Sequence, residues 1–153
     1  MSTSDSDPDM GSPLLGGLLR LVHEAHLKRA YEGATAVEFE DVTRAQFNLF
    51  RWPGVDGLRP SEVAERTGLS KQSVNDLLGV LERNGYVERH PDPEDARARI
   101  IRLTGRGDRL LRAAYRTSMV VEAAWAESIG EERLESLRST LVAMLDRGLP
   151  ETS

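Results

Sequence analysis

Residues 70 to 75 read Ser-Lys-Gln-Ser-Val-Asn, and five of these six side chains end in hydrogen-bonding groups. Gln72 is the type that pairs bidentately with adenine, and Lys71 can reach guanine O6/N7 or a phosphate. Ser70 and Ser73 are short donors suited to close backbone approach, and Asn75 can read a base edge or face solvent. Further along, Asp92-Pro93-Glu94-Asp95-Ala96-Arg97 leads into Arg99 and Arg102. Guanidinium groups in such a place neutralise phosphates, which sets affinity and salt sensitivity but not sequence preference. Base edges in one stretch and phosphate partners in another amount to noncovalent reading of a duplex.

Bond-making chemistry has no comparable constellation. There is no phosphate loop, no nucleophile elbow and no zinc-protease helix. His23 and His26 stand three apart and could share a metal, but spacing fixes no third ligand. Glu38, Glu40 and Asp41 read as a solvated acidic loop. The expectation is a non-enzyme with neither cofactor nor bound metal.

The elements that must position the polar groups follow from periodicity and caps. Residues 1–13 are rich in Ser, Asp, Pro and Gly and read as a disordered tail. Apolar residues recurring from Leu14 predict a first helix ending near Glu32 or Ala36. Thr43-Arg44-Ala45-Gln46 is a capping-box pattern opening a short second helix that Trp52-Pro53-Gly54 ends. Arg59-Pro60-Ser61-Glu62 opens a third, with Val63, Ala64 and Thr67 inward and Gly68 as its stop. Ser70 caps a fourth, whose Val74, Leu77, Leu78 and Leu81 form one apolar stripe opposite the polar run. Gly85 follows as its terminal cap.

Helix, glycine-containing turn and capped helix make a helix-turn-helix. Tyr86 to Arg89 and Arg99 to Leu103 then read as strands, with Pro91 and Pro93 in the hairpin tip between them. Period two should alternate Arg99 with Ile100. Thr104 starts a long fifth helix offering Leu110, Leu111, Ala114, Val121, Ala124 and Trp125 for burial. Gly130 breaks it, and a sixth carries Leu134, Leu137, Leu141, Met144 and Leu145 to a stop at Gly148-Leu149-Pro150. The fold class is therefore mainly α with a small β-wing: a winged helix-turn-helix lobe over 42–104, flanked by helices over 14–36 and 105–149, all within one protomer spanning 14–149.

Length, charge and composition bound the partners. The 153 residues suit one compact protomer, and the 39% apolar content is ordinary for a globular chain. No apolar run approaches a membrane span and no signal peptide is evident, so cytoplasm is the expected address and a membrane is not an expected partner. With no cysteine, disulfides and thiolate sites are excluded. The net charge of −5 is unevenly spread: Arg59 to Arg112 holds 11 Lys/Arg against 9 Asp/Glu, and the remainder 9 against 16. Arginines 97, 99, 102, 106, 109 and 112 face one acid, Asp108, in that stretch. The cluster reads either as a positive field at the wing or as a salt-bridged helix start.

These residues resemble the MarR family of bacterial and archaeal transcriptional regulators over about Leu14 to Leu149. The resemblance rests on Asp92-Pro93-Glu94-Asp95-Ala96-Arg97 leading through Ile101-Arg102-Leu103-Thr104, and on the run from Leu69 to Arg89. It implies an obligate homodimer with first, fifth and sixth helices interleaved. It also implies that Arg97 enters the minor groove while Asp95 orients it by a salt bridge. Two positions depart from the family pattern: Ala96 and Asp76 stand where a basic residue is usual, and Asp76 would repel phosphate. The function implied is a sequence-specific regulator, by family habit a repressor, of double-stranded DNA at a palindromic operator.

Dimerisation also follows from size. A lobe of about 60 residues buries a modest core, and the flanking helices carry apolar stripes that it cannot cover. A two-fold partner would cover them and space two recognition helices about 34–36 Å apart. The resemblance further implies a small-molecule effector between the dimer helices and the lobe. By position, His26, Tyr31, Phe47, Phe50, Trp52, Tyr115 and Met119 are candidate liners, and each also reads as plain core. The competing reading is a winged helix that docks proteins without duplex contact; such a module has no need of an arginine-bearing wing.

Overall fold

The computed structural model describes residues 12–36, 38–51 and 54–148. Its elements run α1 (Leu15–Thr35), α2 (Arg44–Leu49), α3 (Pro60–Thr67), α4 (Lys71–Arg83), β1 (Val87–Pro91), β2 (Arg99–Leu103), α5 (Gly105–Ile129) and α6 (Glu131–Asp146). This is the expected order, mainly helical with one antiparallel hairpin. The tail expected over 1–13 lies outside the described residues except for Ser12 and Pro13.

Local chemistry accounts for the helix ends. The Thr43 hydroxyl accepts from the Gln46 amide at 3.3 Å while Gln46 Oε1 accepts from the Thr43 amide at 2.8 Å, a complete capping box at α2. At α3 the Arg59 amide donates to Glu62 Oε2 at 2.7 Å, Pro60 occupies the first turn, and Gly68 closes the helix at φ 69°. The Ser70 hydroxyl accepts from the Ser73 amide at 3.0 Å, starting α4.

Several elements differ from expectation. Helix α2 stops at Leu49, with Phe50 as its cap; the expected stopper Trp52-Pro53 lies outside the described residues. Thr67 is exposed rather than inward, its hydroxyl turned back to the Val63 carbonyl at 2.7 Å. Strand β1 extends past Arg89 to Pro91, which pairs with Arg99, so Pro91 belongs to the ladder and not to the tip. A proline is tolerated there because it is the last residue of the strand. On strand β2 Arg99 is exposed and Ile100 buried, as period two expects, but Ile101 is buried as well. A third segment lies along its free edge: Ile101 donates to the Leu58 carbonyl at 2.8 Å and accepts from Gly57 at 2.7 Å. On α5, Ala124 is exposed and Trp125 only half-buried.

One core serves the lobe and the base of the long helices. Phe47, Phe50, Val63, Val74, Leu78, Leu81, Tyr86, Ile101 and Leu110 are all buried. Tyr86 is the hinge between lobe and α5. Its hydroxyl donates to Asp41 Oδ1 at 2.6 Å, and the Arg106 guanidinium lies 4.3 Å above its ring. Burial, then Asp41, pushes its phenol well above the ordinary value of 10.0. Next to it, a Cβ at Gly107 would collide with the Tyr86 carbonyl oxygen, so only glycine lets α5 start this close to the lobe.

The two flanks are covered very differently. Helix α6 buries none of its residues. Leu14, Leu15, Leu18, Leu21 and Val22 at the start of α1, Val120 on α5, and Leu137, Val142 and Leu145 on α6 are exposed. Among the described residues no helix is long and apolar enough to cross a membrane.

Candidate nucleic-acid interface

Helix α4 buries Val74, Leu78 and Leu81 against the core, which leaves Lys71, Gln72, Ser73, Asn75 and Asp76 exposed together with the capping Ser70. The face is already organised by internal contacts. Ser70 and Ser73 hydroxyls lie 2.8 Å apart. Gln72 Nε2 donates to Asp76 Oδ1 at 2.8 Å. Asn75 Nδ2 donates to the Lys71 carbonyl at 3.0 Å, while its Oδ1 accepts from Arg89 Nη1 at 3.2 Å. Arg89 also reaches Glu82 at 3.3 Å. The root of the wing is thereby tied to the exposed edge of α4. Lys71 has no ion-pair partner among the described residues.

The wing turn is built on Asp92, whose structural part the sequence reading missed. Asp92 is buried, and its Oδ2 accepts from Arg59 Nε at 2.6 Å and from Nη2 at 2.5 Å. Its Oδ1 accepts from the Glu94 amide at 2.8 Å, and its amide donates to the Ala98 carbonyl at 3.1 Å. The Glu94 amide, with Arg59 adding to it, holds the Asp92 carboxyl below its usual range despite burial. The signal that would have found this role is an aspartate followed two residues later by an amide it can cap, the ordinary Asx-turn.

Asp95 does not orient Arg97 through a salt bridge here. Its Oδ1 accepts from the Arg97 main-chain amide at 3.0 Å, fixing the backbone of the tip and not the guanidinium. Arg97 and Arg99 are exposed, and neither has an ion-pair partner among the described residues. The other four arginines of the basic cluster are committed within the chain. Arg102 meets Asp56 at 3.6 Å, Arg106 meets Asp41 at 3.0 Å, Arg109 meets Glu38 at 3.2 Å and Arg112 meets Asp108 at 2.8 Å. The salt-bridged reading of that stretch therefore holds for these four, and the unpaired charge narrows to Arg97 and Arg99. The acidic run is exposed, as a solvated loop is expected to be, with Glu38 and Asp41 the partners of Arg109 and Arg106.

A cavity of about 640 Å³ lies between the long helices and the lobe. Of the expected liners, His26, Phe50, Tyr115 and Met119 face it. Tyr31 and Phe47 do not: they pack edge-on at 5.6 Å, and the Tyr31 hydroxyl donates to the Val42 carbonyl at 2.8 Å. Trp52 lies outside the described residues. Arg51 and Glu122, which the sequence reading did not single out, also line the cavity. Arg51 Nη2 donates to His26 Nδ1 at 2.5 Å, and the His26 ring stacks at a tilt 5.2 Å from Trp125. Burial, then the Arg51 charge, lowers the His26 pKa below its ordinary 6.5. Among the described residues no group of three or more His, Asp or Glu is placed to hold a metal.

Comparison with known proteins places this architecture. The MarR family model matches residues 40–98, which span α2 through the wing tip. The transcriptional activatory protein BadR of Rhodopseudomonas palustris is 27% identical over 117 residues, covering 74% of this chain and 66% of BadR. The transcriptional repressor CouR, solved on a 23-mer DNA duplex, superposes with a TM-score of 0.66 at 25% identity, covering 85% of this chain and 91% of CouR. CouR from Rhodococcus jostii RHA1 has also been solved with p-coumaroyl-CoA, matching in fold with a TM-score of 0.65 at 24% identity, over 83% of this chain and 88% of CouR. The fold is that of a winged helix-turn-helix protein. Over residues 40–98 the chain is similar to the MarR family of transcriptional regulators.

Proposed function

We propose that this chain is a homodimeric transcriptional regulator that binds double-stranded DNA sequence-specifically and represses transcription at a palindromic operator. The observation that carries the reading is the contact between Asn75 and Arg89, which sets the wing beside the exposed edge of α4. That edge offers Lys71 and Gln72 to a major groove, with Ser70, Ser73 and Asn75 around them. The wing offers Arg97 to a minor groove and Arg99 to phosphate. The solution of CouR on a DNA duplex supports double-stranded DNA as the partner. Repression is likewise the sign that the CouR likeness favours, and BadR is named an activator.

The dimer reading rests on the uncovered apolar residues of α1, α5 and α6. A helix of 16 residues that buries none of them needs a partner surface, and a second copy supplies one by two-fold symmetry. Residues 14–36 and 105–149 then serve dimerisation and 42–104 serves DNA. The protein works in the cytoplasm.

A small-molecule effector fits the cavity. Its wall includes Val55, Asp56 and Leu103. Asp56 Oδ1 accepts from the Leu103 amide at 2.9 Å, so the wall carries the root of β2. A ligand that shifts this wall shifts the wing, and so binds the DNA-competent and DNA-incompetent dimers unequally.

Fluorescence anisotropy on a random duplex at about 50 mM salt, with a salt titration, tests the DNA reading. Salt-dependent binding together with a dimer mass in sedimentation at micromolar concentration is the expected result. No binding would favour a module that docks proteins, and a monomer mass would remove the dimer.

A further inference from the structure

Asp76 is a carboxylate without a cation on the outward face of α4. It lies in the second turn, off the buried stripe of Val74, Leu78 and Leu81, and is exposed. Its Oδ1 accepts from Gln72 Nε2 at 2.8 Å. Among the described residues no cation lies in ion-pair range of Asp76, and its Oδ2 accepts no hydrogen bond. The other acid of this helix, Glu82, is held by Arg89 at 3.3 Å.

The same contact fixes which way the Gln72 amide points. A carboxylate only accepts, so the amide end facing it is the nitrogen. Gln72 Oε1 is left without a partner among the described residues, one helical turn before Asp76. Two oxygens on adjacent turns of one exposed face are thus acceptors in want of donors. Asn75 beside them is already engaged, its Nδ2 with the Lys71 carbonyl at 3.0 Å and its Oδ1 with Arg89 at 3.2 Å.

The major-groove edges of the bases decide what such a face can meet. Guanine shows O6 and N7 and thymine shows O4, all acceptors that repel a carboxylate. Adenine shows its N6 amino group with the N7 acceptor beside it, whereas cytosine shows the N4 amino group and no acceptor. Among phosphates a carboxylate is repelled in every register, and only a donor offsets that repulsion. A side chain of this kind discriminates by weakening the wrong complexes as well as by holding the right one.

We propose that Asp76 sets the base preference of α4: its Oδ2 accepts from cytosine N4 in each half-site, while its Oδ1 holds the Gln72 amide with Oε1 free to accept from adenine N6 at a nearby base pair. This rests on the DNA reading above and adds to it the identity of one base. The cost of a negative charge in the groove is the source of the selectivity, because every register without the amino group bears that cost unrelieved.

The test selects bound duplexes from a random-sequence pool with the full-length protein, Asp76→Ala and Asp76→Asn side by side. The unaltered protein is expected to enrich a palindrome with cytosine at one position of each half-site. Asp76→Ala should lose that preference, keep the rest of the motif and hold random duplex more tightly at equal salt. Asp76→Asn should move the preference toward adenine, with which an asparagine pairs bidentately. In the selected duplex, replacing that cytosine by deoxyribosyl-2-pyrimidinone removes only the N4 amino group. This should cost the unaltered protein about tenfold more affinity than it costs Asp76→Ala, as one hydrogen bond to a charged group requires; the weakened base pair cancels in the comparison. A cytosine preference that survives either substitution, an equal loss in both proteins, or a palindrome without such a cytosine overturns the assignment of Asp76 and leaves the DNA reading standing. No duplex retained by the unaltered protein would sink the DNA reading, and this proposal with it.

Discussion

Arg59 and Asp92 join the start of α3 to the wing: Nε and Nη2 of one guanidinium converge on a single carboxylate oxygen at 2.6 and 2.5 Å. The pair holds the wing turn against the lobe while the turn's own amides occupy the other oxygen. Asp92→Asn keeps the size of the side chain but removes its charge. We expect it to loosen the tip and weaken binding to every duplex by roughly tenfold, the loss of one well-placed contact, with the dimer intact. Anisotropy titrations alongside sedimentation check this. Full affinity in the variant would mean that the wing needs no such anchor.

Arg97 and Arg99 are the arginines of the cluster that no carboxylate engages, and Arg97 sits at the tip. Arg97→Ala should weaken binding to all duplexes and flatten the salt dependence by roughly one unit of log slope. Arg109→Ala is the control, since Glu38 already holds that side chain; its slope should stay unchanged. An unaltered slope for Arg97→Ala would remove that residue from the interface.

Gln72 and Asp76 form a latch on the exposed face of α4. Asp76→Ala should free Gln72 and relieve repulsion of phosphate, raising affinity for unrelated duplexes. Gln72→Ala should instead relax discrimination at one base pair per half-site by about 1–3 kcal/mol, leaving nonspecific binding unchanged. Competition assays with single-base operator variants separate the two effects. If neither variant alters them, this part of α4 does not meet bases.

His26 predicts the direction of an acid effect on stability. Its folded pKa lies below the ordinary 6.5 because of burial, then Arg51, with Glu122 opposing. His23, also near Arg51, is shifted the same way. The unfolded chain therefore takes up protons first as pH falls. The folded state loses nothing above 6.5 and loses stability below it, down to the folded pKa. Urea melts between about pH 7.5 and 5.5 should show a falling midpoint, and His26→Asn should flatten the trend. A midpoint that rises on acidification would contradict this.

What could be read from the residues was local. The capping box of Thr43 and Gln46, the Ser70 cap and the left-handed Gly68 are decided within a few residues, and the structure has each where it was expected. The apolar stripe of α4 determines its exposed face by the same short-range logic. The contacts that escaped notice join distant parts of the chain. Arg106 and Asp41 are 65 residues apart, and Arg109 and Glu38 are 71 apart, so no spacing rule could show that these two arginines were already paired. Arg51 and His26 meet across 25 residues. Pro91 reads as a breaker by type, and only its terminal place in the ladder, opposite Arg99, lets it stay in β1. Phe39 turns the chain at a positive φ of 71° with its ring buried, which composition alone does not announce.

Selection of bound duplexes from a random pool tests the central claim most directly, because it reads binding, symmetry and base preference together. The account predicts enrichment of a palindrome whose half-sites lie about one helical turn, roughly 10 bp, apart. A pool that stays unenriched, or one that converges on a single unrepeated half-site, would contradict a dimer reading DNA through α4 and the wing.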